Sequence, residues 1–251
     1  MEYLLIGLTG ILATTAGTLA GGGGFISLPV MMLLGIPIQS AVGANKAANT
    51  ISSFSSFLYL YRNKKISFKE VYWIVPVSLA GGVTGGVIAS RMNEEYMEAA
   101  AIVLLLFAFA ASFFKQGQFS GEGEIRFNKF SFPGLYAIGI YDGMIGPGQG
   151  TFMLYLFGAL KVSYIRAVAG VRLATFSSCF GAAVTYIAAG QMIWPLTLCL
   201  LAGSLAGAQI GVRLAEKLKA RTVLVILRLV TLGLIIQLIG ENLLELAGGF
   251  R

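Results

Sequence analysis

The sequence has 251 residues, of which 57% are hydrophobic and 12% charged; its mean hydropathy is +0.81 and its formal charge +7. A soluble domain carries about 25% charged and about 45–50% apolar residues, so this chain could not hide its apolar side chains in one aqueous core. An ordinary cytosolic enzyme, a disordered protein and a disulfide scaffold are excluded, which leaves an all-α integral membrane protein with several spans.

Met1–Tyr3 has no Lys or Arg and carries Glu2, so the basic start of a cleaved signal is missing and the first apolar segment reads as retained. Apolar segments follow at Tyr3–Ala20, Phe25–Ile36, Ala41–Tyr61, Val71–Ser90, Tyr96–Phe114, Phe132–Ile145, Thr151–Leu160, Ile165–Ala188, Trp194–Val212 and Thr222–Gly240. Six have the roughly 17–25 residues a spanning helix needs. The first is borderline, and Phe25–Ile36, Phe132–Ile145 and Thr151–Leu160 are too short to cross alone. These four form two pairs, one broken by Gly21–Gly24 and the other by Gly146-Pro147-Gly148-Gln149-Gly150.

The polar stretch Lys115–Lys129 divides the chain, and the halves match without a gap at an offset of 126 residues. Gly22 and Gly24 pair with Gly148 and Gly150, and Lys46 pairs with Arg172. Ser78-Leu79-Ala80-Gly81 recurs as Ser204-Leu205-Ala206-Gly207. The expected organisation is therefore a first repeat at 1–114, a cytoplasmic linker at 115–130 and a second repeat at 131–251.

Loop charge orients the repeats. Loop 62–69 holds Arg62, Lys64, Lys65 and Lys69, while its counterpart 188–193 has no charge. Loop 213–221 holds Arg213, Lys217, Lys219 and Arg221 against Glu216, while its counterpart 91–95 holds one Arg and two Glu. The positive-inside rule puts 62–69 and 213–221 in the cytoplasm and the other two loops outside. Each short pair must then add no net crossing. That predicts two inverted repeats, each a glycine-broken re-entrant helical hairpin plus three transmembrane helices. Reading each pair as one broken full span would give two parallel four-span repeats, which fits the loop charges worse.

Irregular backbone at mid-membrane is tolerated only in protein or beside a wet cavity. The two glycine tips would aim helix N-termini at such a cavity, where N–H groups of Gly22, Gly23, Gly24, Phe25, Gly148, Gln149, Gly150 and Thr151 could bind an anion. The arms ending near Ala20 and Ile145 bring opposing dipoles, so dipoles alone do not fix the ligand's sign. Glycines that merely permit tight crossing are the blander account, and it suits Gly81, Gly82, Gly85, Gly86, Gly203, Gly207 and Gly211 better than four glycines in a row.

Lys46 and Arg172 lie early in long apolar spans, where a cation costs at least ~2.5–3.5 kcal/mol. Either could snorkel to the nearby face, but polar neighbours at helical spacing favour an inward, wet face. Asn45, Asn49, Ser52 and Ser56 form one such stripe, and Thr175, Ser178 and Thr185 another. Their sign predicts a small anionic substrate. Asp142 could carry a coupling proton or sodium ion, or pair with Lys46 or Arg172. Cys179 beside Ser178 could touch a sulfur-containing substrate, although a small buried residue is the simpler account. Arg228 reads as snorkelling.

No histidine is present, so His-ligated metals, haem and a His general base are excluded. With a single aspartate there is no intramembrane aspartate dyad, and no G-x-x-x-x-G-K-[ST] loop occurs. The expectation is a chain that is no enzyme, with no cofactor, no metal and no nucleic-acid partner; assembly into a homo-oligomer is left open.

The glycine break before Pro29, then Ala41-Val42-Gly43-Ala44-Asn45-Lys46 entering a Ser-rich span, resembles the sulfite exporter TauE/SafE family. The Gly-Pro-Gly-Gln-Gly break with Ala167-Val168-Ala169-Gly170-Val171-Arg172 resembles that family's second repeat, so the likeness covers nearly the whole chain. Arg172 departs from the lysine expected in several relatives, keeping the charge but changing the donor geometry. The resemblance implies a multi-pass permease of the prokaryotic inner membrane that exports sulfite, a related sulfur oxyanion or an organosulfonate. An anion channel and an uptake permease are the alternatives.

Overall fold

A computed structural model describes residues 2–20, 23–111, 125, 131–159, 162–217 and 232. Among them the regular elements are ten helices and no strand. The first half supplies α1 (Glu2–Ala20), α2 (Gly24–Leu33), α3 (Ile38–Arg62), α4 (Phe68–Val71), α5 (Ile74–Ser90) and α6 (Glu94–Ala111). The second supplies α7 (Ser131–Met144), α8 (Gln149–Ala159), α9 (Tyr164–Ala188) and α10 (Trp194–Ala215). The apolar segment Thr222–Gly240 except Leu232, with Arg228 in it, and Gly21, Gly22 and all of the 115–130 linker except Ile125 lie outside the described residues.

The chain is an all-α membrane protein. Helices at Glu2–Leu19, Tyr164–Ala188 and Trp194–Ala215 are long and apolar enough to cross a membrane. The 25 residues of α3 are long enough too, but Asn, Ser, Thr and Lys dilute their hydropathy. The reason is position: α3 and α9 pack on each other, α3 also packs on α10, and α9 on α5. Most of the surface of these two helices is lined with neighbours rather than lipid. Outward-facing positions are apolar instead, with Leu4, Leu8 and Leu12 of α1, Phe107 of α6, Phe180 and Val184 of α9 and Leu198 of α10 all exposed. An apolar exterior around a polar interior is what a hydrocarbon solvent selects.

Small residues set the helix contacts. Gly203, Gly207 and Gly211 of α10 lie against Gly7, Ile11 and Thr15 of α1, so an added Cβ would run into backbone. Gly81 and Gly85 press on Tyr136, Gly139 and Ile140 of α7, while Gly82 and Gly86 on the adjoining face press on Ser178, Ala182 and Thr185 of α9. Close backbone approach lets van der Waals contact hold helices together where no hydrophobic effect can. It also accounts for Thr185, which packs on Gly86 and donates to Ala182 O rather than continuing the polar stripe.

The contacts repeat under exchange of the halves. α1 packs on α10 as α7 packs on α5, and α3 meets α10 as α9 meets α5. The matching helices α3 and α9 begin and end 126 residues apart, yet they run in opposite directions. Gly43 near the start of α3 meets Tyr186 and Met192 at the end of α9. Arg166 at the start of α9 meets Glu70, beyond the end of α3, at 3.7 Å.

The loops segregate accordingly. Lys65 pairs with Glu216 at 3.4 Å, which brings the ends of α3 and α10 to one face of the bundle. Gln191 donates to Ser90 O at 3.0 Å and Gln39 to Met92 O at 3.3 Å, which gathers the 90–92 and 189–191 turns at the other face.

Candidate functional site

The two chain breaks meet. A Cβ on Gly24 would lie 2.9 Å from Pro147 Cα, so the tips touch backbone to backbone. α2 and α8 lead away from this point with 10 and 11 residues, or about 15–16 Å each. That sets the contact roughly halfway along the bundle. The second tip needs glycine, because Gly146 and Gly148 have φ of +92° and +77°. Gly146 also has no room for a side chain between Asp142 and the end of Lys46. In the first hairpin, Gly23 closes onto Ala13 and Gly17 of the opposite arm.

Around this contact is a cavity of about 40 Å³, room for about three waters at about 10–15 Å³ each. Gly23 and Gly24 form one side and Gly146 and Gln149 the other. Asn45, Lys46 and Asn49 reach it from α3, Arg172 and Thr175 from α9, and Asp142 from α7. Its three ionisable groups are Lys46, Asp142 and Arg172, two cations against one carboxylate.

The cations cross over. Lys46 on α3 reaches the second half's first arm, donating to Asp142 Oδ1 at 3.0 Å and to Ile145 O at 3.2 Å. Arg172 on α9 reaches the first half's first arm, donating to Gly17 O at 2.7 Å and to Thr18 Oγ1 at 3.5 Å. Each cation thus lies on the C-terminal carbonyls of a helix whose dipole is negative there. This resolves the opposing dipoles: the arms' negative ends are answered by protein cations.

The likeness stops at the carboxylate. Lys46 has Asp142, which also accepts from Ser178 Oγ and, at 3.4 Å, from the Cys179 thiol. Among the described residues Arg172 has no acidic partner, and its Nε is buried with nothing to donate to. Gln149 is similar: its Oε1 accepts from Thr175 Oγ1 at 3.1 Å, while its Nε2 is buried and unpaired. Both orphans are donors, and both residues line the cavity. Buried polar groups are nearly always satisfied, and a donor is satisfied by an acceptor, whether water or an anion.

Several expected residues have other partners. Ser52 and Ser56 bond to their own helix, at Asn49 O and Ser52 O. Ser178 holds Asp142 rather than forming the cavity wall, and Cys179 sits behind it as a free thiol. Phe25, Gly148, Gly150 and Thr151 are buried next to the cavity without lining it. The backbone N–H groups of Gln149 and Thr151 donate to Gly146 O and Gly148 O. Of the second tip's residues Gly148–Thr151, Gln149 is the one that lines the cavity. Sequence reasoning missed Thr14, Ser27 and Ser204, which also line the cavity. Ser27 donates to Asn45 Oδ1 at 2.9 Å. Each is a small hydroxyl in an apolar helix, a weak signal by itself; Ser204 also belongs to the repeated Ser-Leu-Ala-Gly string.

Residues 6–238 match the family model described as sulfite exporter TauE/SafE. A "probable membrane transporter protein ORF9" of Sinorhizobium sp. is 29% identical over 248 residues, covering 96% of this chain and 95% of that protein. The "probable membrane transporter protein YfcA" of Escherichia coli K12 is 25% identical, covering 98% and 95%. YunE of Bacillus subtilis, a "probable membrane transporter protein", is 24% identical, covering 97% and 99%. No solved structure gives a significant match. With tips, crossed cations and family model spanning the same residues, the chain belongs to the sulfite exporter TauE/SafE family and is a membrane transporter.

Proposed function

We propose that the chain is a secondary transporter that exports a small oxyanion, sulfite or a related sulfur oxyanion or organosulfonate, from the cytoplasm. The anion occupies the cavity between the two tips. The observation that carries this reading is the pair of buried, unpartnered donors, Arg172 Nε and Gln149 Nε2, on two residues that line a cavity with an excess of one cation. The family's description supports a sulfur oxyanion.

The two halves act as inverted repeats in the inner membrane, with loops 62–69 and 213–221 in the cytoplasm. The opposed directions of α3 and α9 and the meeting of Lys65 with Glu216 support that arrangement. Tips in contact around so small a cavity favour alternating closure over an open channel. The inside-negative potential favours anion exit by about 2.3 kcal/mol per charge per 100 mV, so export needs no coupled ion. Purified protein in liposomes loaded with sulfite tests the reading. Saturable efflux that falls at least about tenfold in Arg172→Ala supports it; efflux indifferent to Arg172, or none for any sulfur oxyanion, overturns it.

A further inference from the structure

The pairing of Lys46 with Asp142 shows how this site holds a carboxylate, and Arg172 shows the same site with the carboxylate missing. The two cations occupy matching positions in the repeats, on helices that run in opposite directions. Each lies on a carbonyl near the end of the other half's first arm. In α7 the capped carbonyl, Ile145 O, follows Asp142 by three residues, one turn along the helix. In α1 the capped carbonyl is Gly17 O, two residues out of register with Ile145; the 126-residue offset sets Ala16 opposite Asp142, and Thr14, one turn before Gly17, lines the cavity. After Glu2, α1 has no acidic residue at all.

We infer that Asp142 is a built-in anion occupying one of two related subsites, and that the transported species occupies the other, on Arg172 and Gln149, carrying a single negative charge. The substrate class is then a monovalent oxyanion: a sulfonate, or a sulfur acid with one proton retained. The inference rests on the transport reading above and extends it to valence.

The charge count of the cavity supports this. Lys46 and Asp142 cancel, and Arg172 leaves one positive charge with two orphaned donors. One negative charge closes the balance. A dianion would leave a net negative charge in a cavity of about 40 Å³ lined largely by buried residues, where an unmatched charge is costly. Without Asp142 the balance moves by one, so the same cavity would take a dianion.

The test uses methanesulfonate and sulfate, which share a tetrahedral sulfur and three or more oxygens but carry one and two negative charges. Binding to the purified protein in detergent is read by thermal shift and calorimetry. Wild type is expected to bind methanesulfonate at least about tenfold more tightly than sulfate. Asp142→Asn is expected to reverse that order. Thr14→Asp, which supplies an internal carboxylate to the Arg172 side, is expected to lose methanesulfonate binding while keeping a cooperative melt. Should Asp142→Asn fail to fold, wild type and Thr14→Asp decide. Sulfate binding as tight as methanesulfonate, with both lost in Arg172→Ala, would overturn the single-charge inference and leave the transport site standing. Binding of neither anion, or binding unaffected in Arg172→Ala, would overturn the site itself and this inference with it.

Discussion

The ammonium of Lys46 and the carboxylate of Asp142 meet at 3.0 Å across 96 residues of sequence, with side chains only 2% and 4% exposed. A pair so deeply removed from solvent is held by its own mutual charge. Removing one partner leaves the other uncompensated, which costs about 3–5 kcal/mol, whereas replacing both with apolar residues of similar volume is often close to neutral. Asp142→Leu and Lys46→Met are each expected to destabilise by that amount, and the double variant by less than either. Equilibrium unfolding in micelles, analysed as a double-mutant cycle, measures the coupling.

Gln149 separates stability from transport. Its Nε2 is buried without an acceptor, a state that costs roughly 1–3 kcal/mol, against the ~1 kcal/mol gained from the Thr175 bond to its Oε1. Gln149→Leu removes both. The expected result is a melting transition unchanged or raised in the absence of substrate, with anion efflux at least about tenfold slower. A drop in both would mean that Gln149 acts through packing.

The glycines divide by cause. A Cβ at Gly85 would collide with the backbone of α7, so Gly85→Ala should destabilise by about 1–3 kcal/mol through forced helix separation. Gly35 has open space around it and a φ of +70°. Gly35→Ala should cost only the left-handed penalty of about 1–2 kcal/mol. Gly85→Leu should be far worse than Gly85→Ala, while Gly35→Leu should match Gly35→Ala. Thermal melts of the four variants check this.

Sidedness can be read by labelling. In a background lacking Cys179 and Cys199, Lys64→Cys should react with an impermeant maleimide only from the cytoplasmic side, and Gln191→Cys only from outside. Loss of the exposed Lys65–Glu216 pair in Lys65→Ala should change stability by no more than about 1 kcal/mol. Its value is as a marker of which loops share a face.

Much of the scaffold was legible in the sequence because hydropathy and glycine are local signals. The segments Tyr3–Ala20, Phe132–Ile145, Thr151–Leu160 and Ile165–Ala188 became α1, α7, α8 and α9 with ends shifted by one or two residues. The break at Gly146–Gly150 was visible because no other residue suits its positive φ values. Lys46, Arg172, Asn45, Asn49 and Thr175 stand out in the sequence because polar residues are conspicuous in apolar runs, and one cavity collects them. What stayed hidden depends on long-range geometry. Nothing local says that Lys46 rather than Arg172 takes Asp142, since both are cations at matching positions. Nor does periodicity distinguish Ser52, which bonds to its own helix, from Ser27, which turns to Asn45. Thr185 had the right spacing for the polar path, and only the packing of Gly86 diverts it.

The crossed reach of the two cations ties charge to motion. Lys46 is anchored in one half and fastened to the opposite hairpin; Arg172 does the same in reverse. Neither elbow can swing away from the centre without stripping a buried cation of its carbonyl, and the stripped cation then needs another acceptor. An arriving anion is such an acceptor. In the transport cycle proposed above, cargo is the key to a double latch: with it aboard, unfastening one hairpin exposes no bare charge, and without it both stay shut.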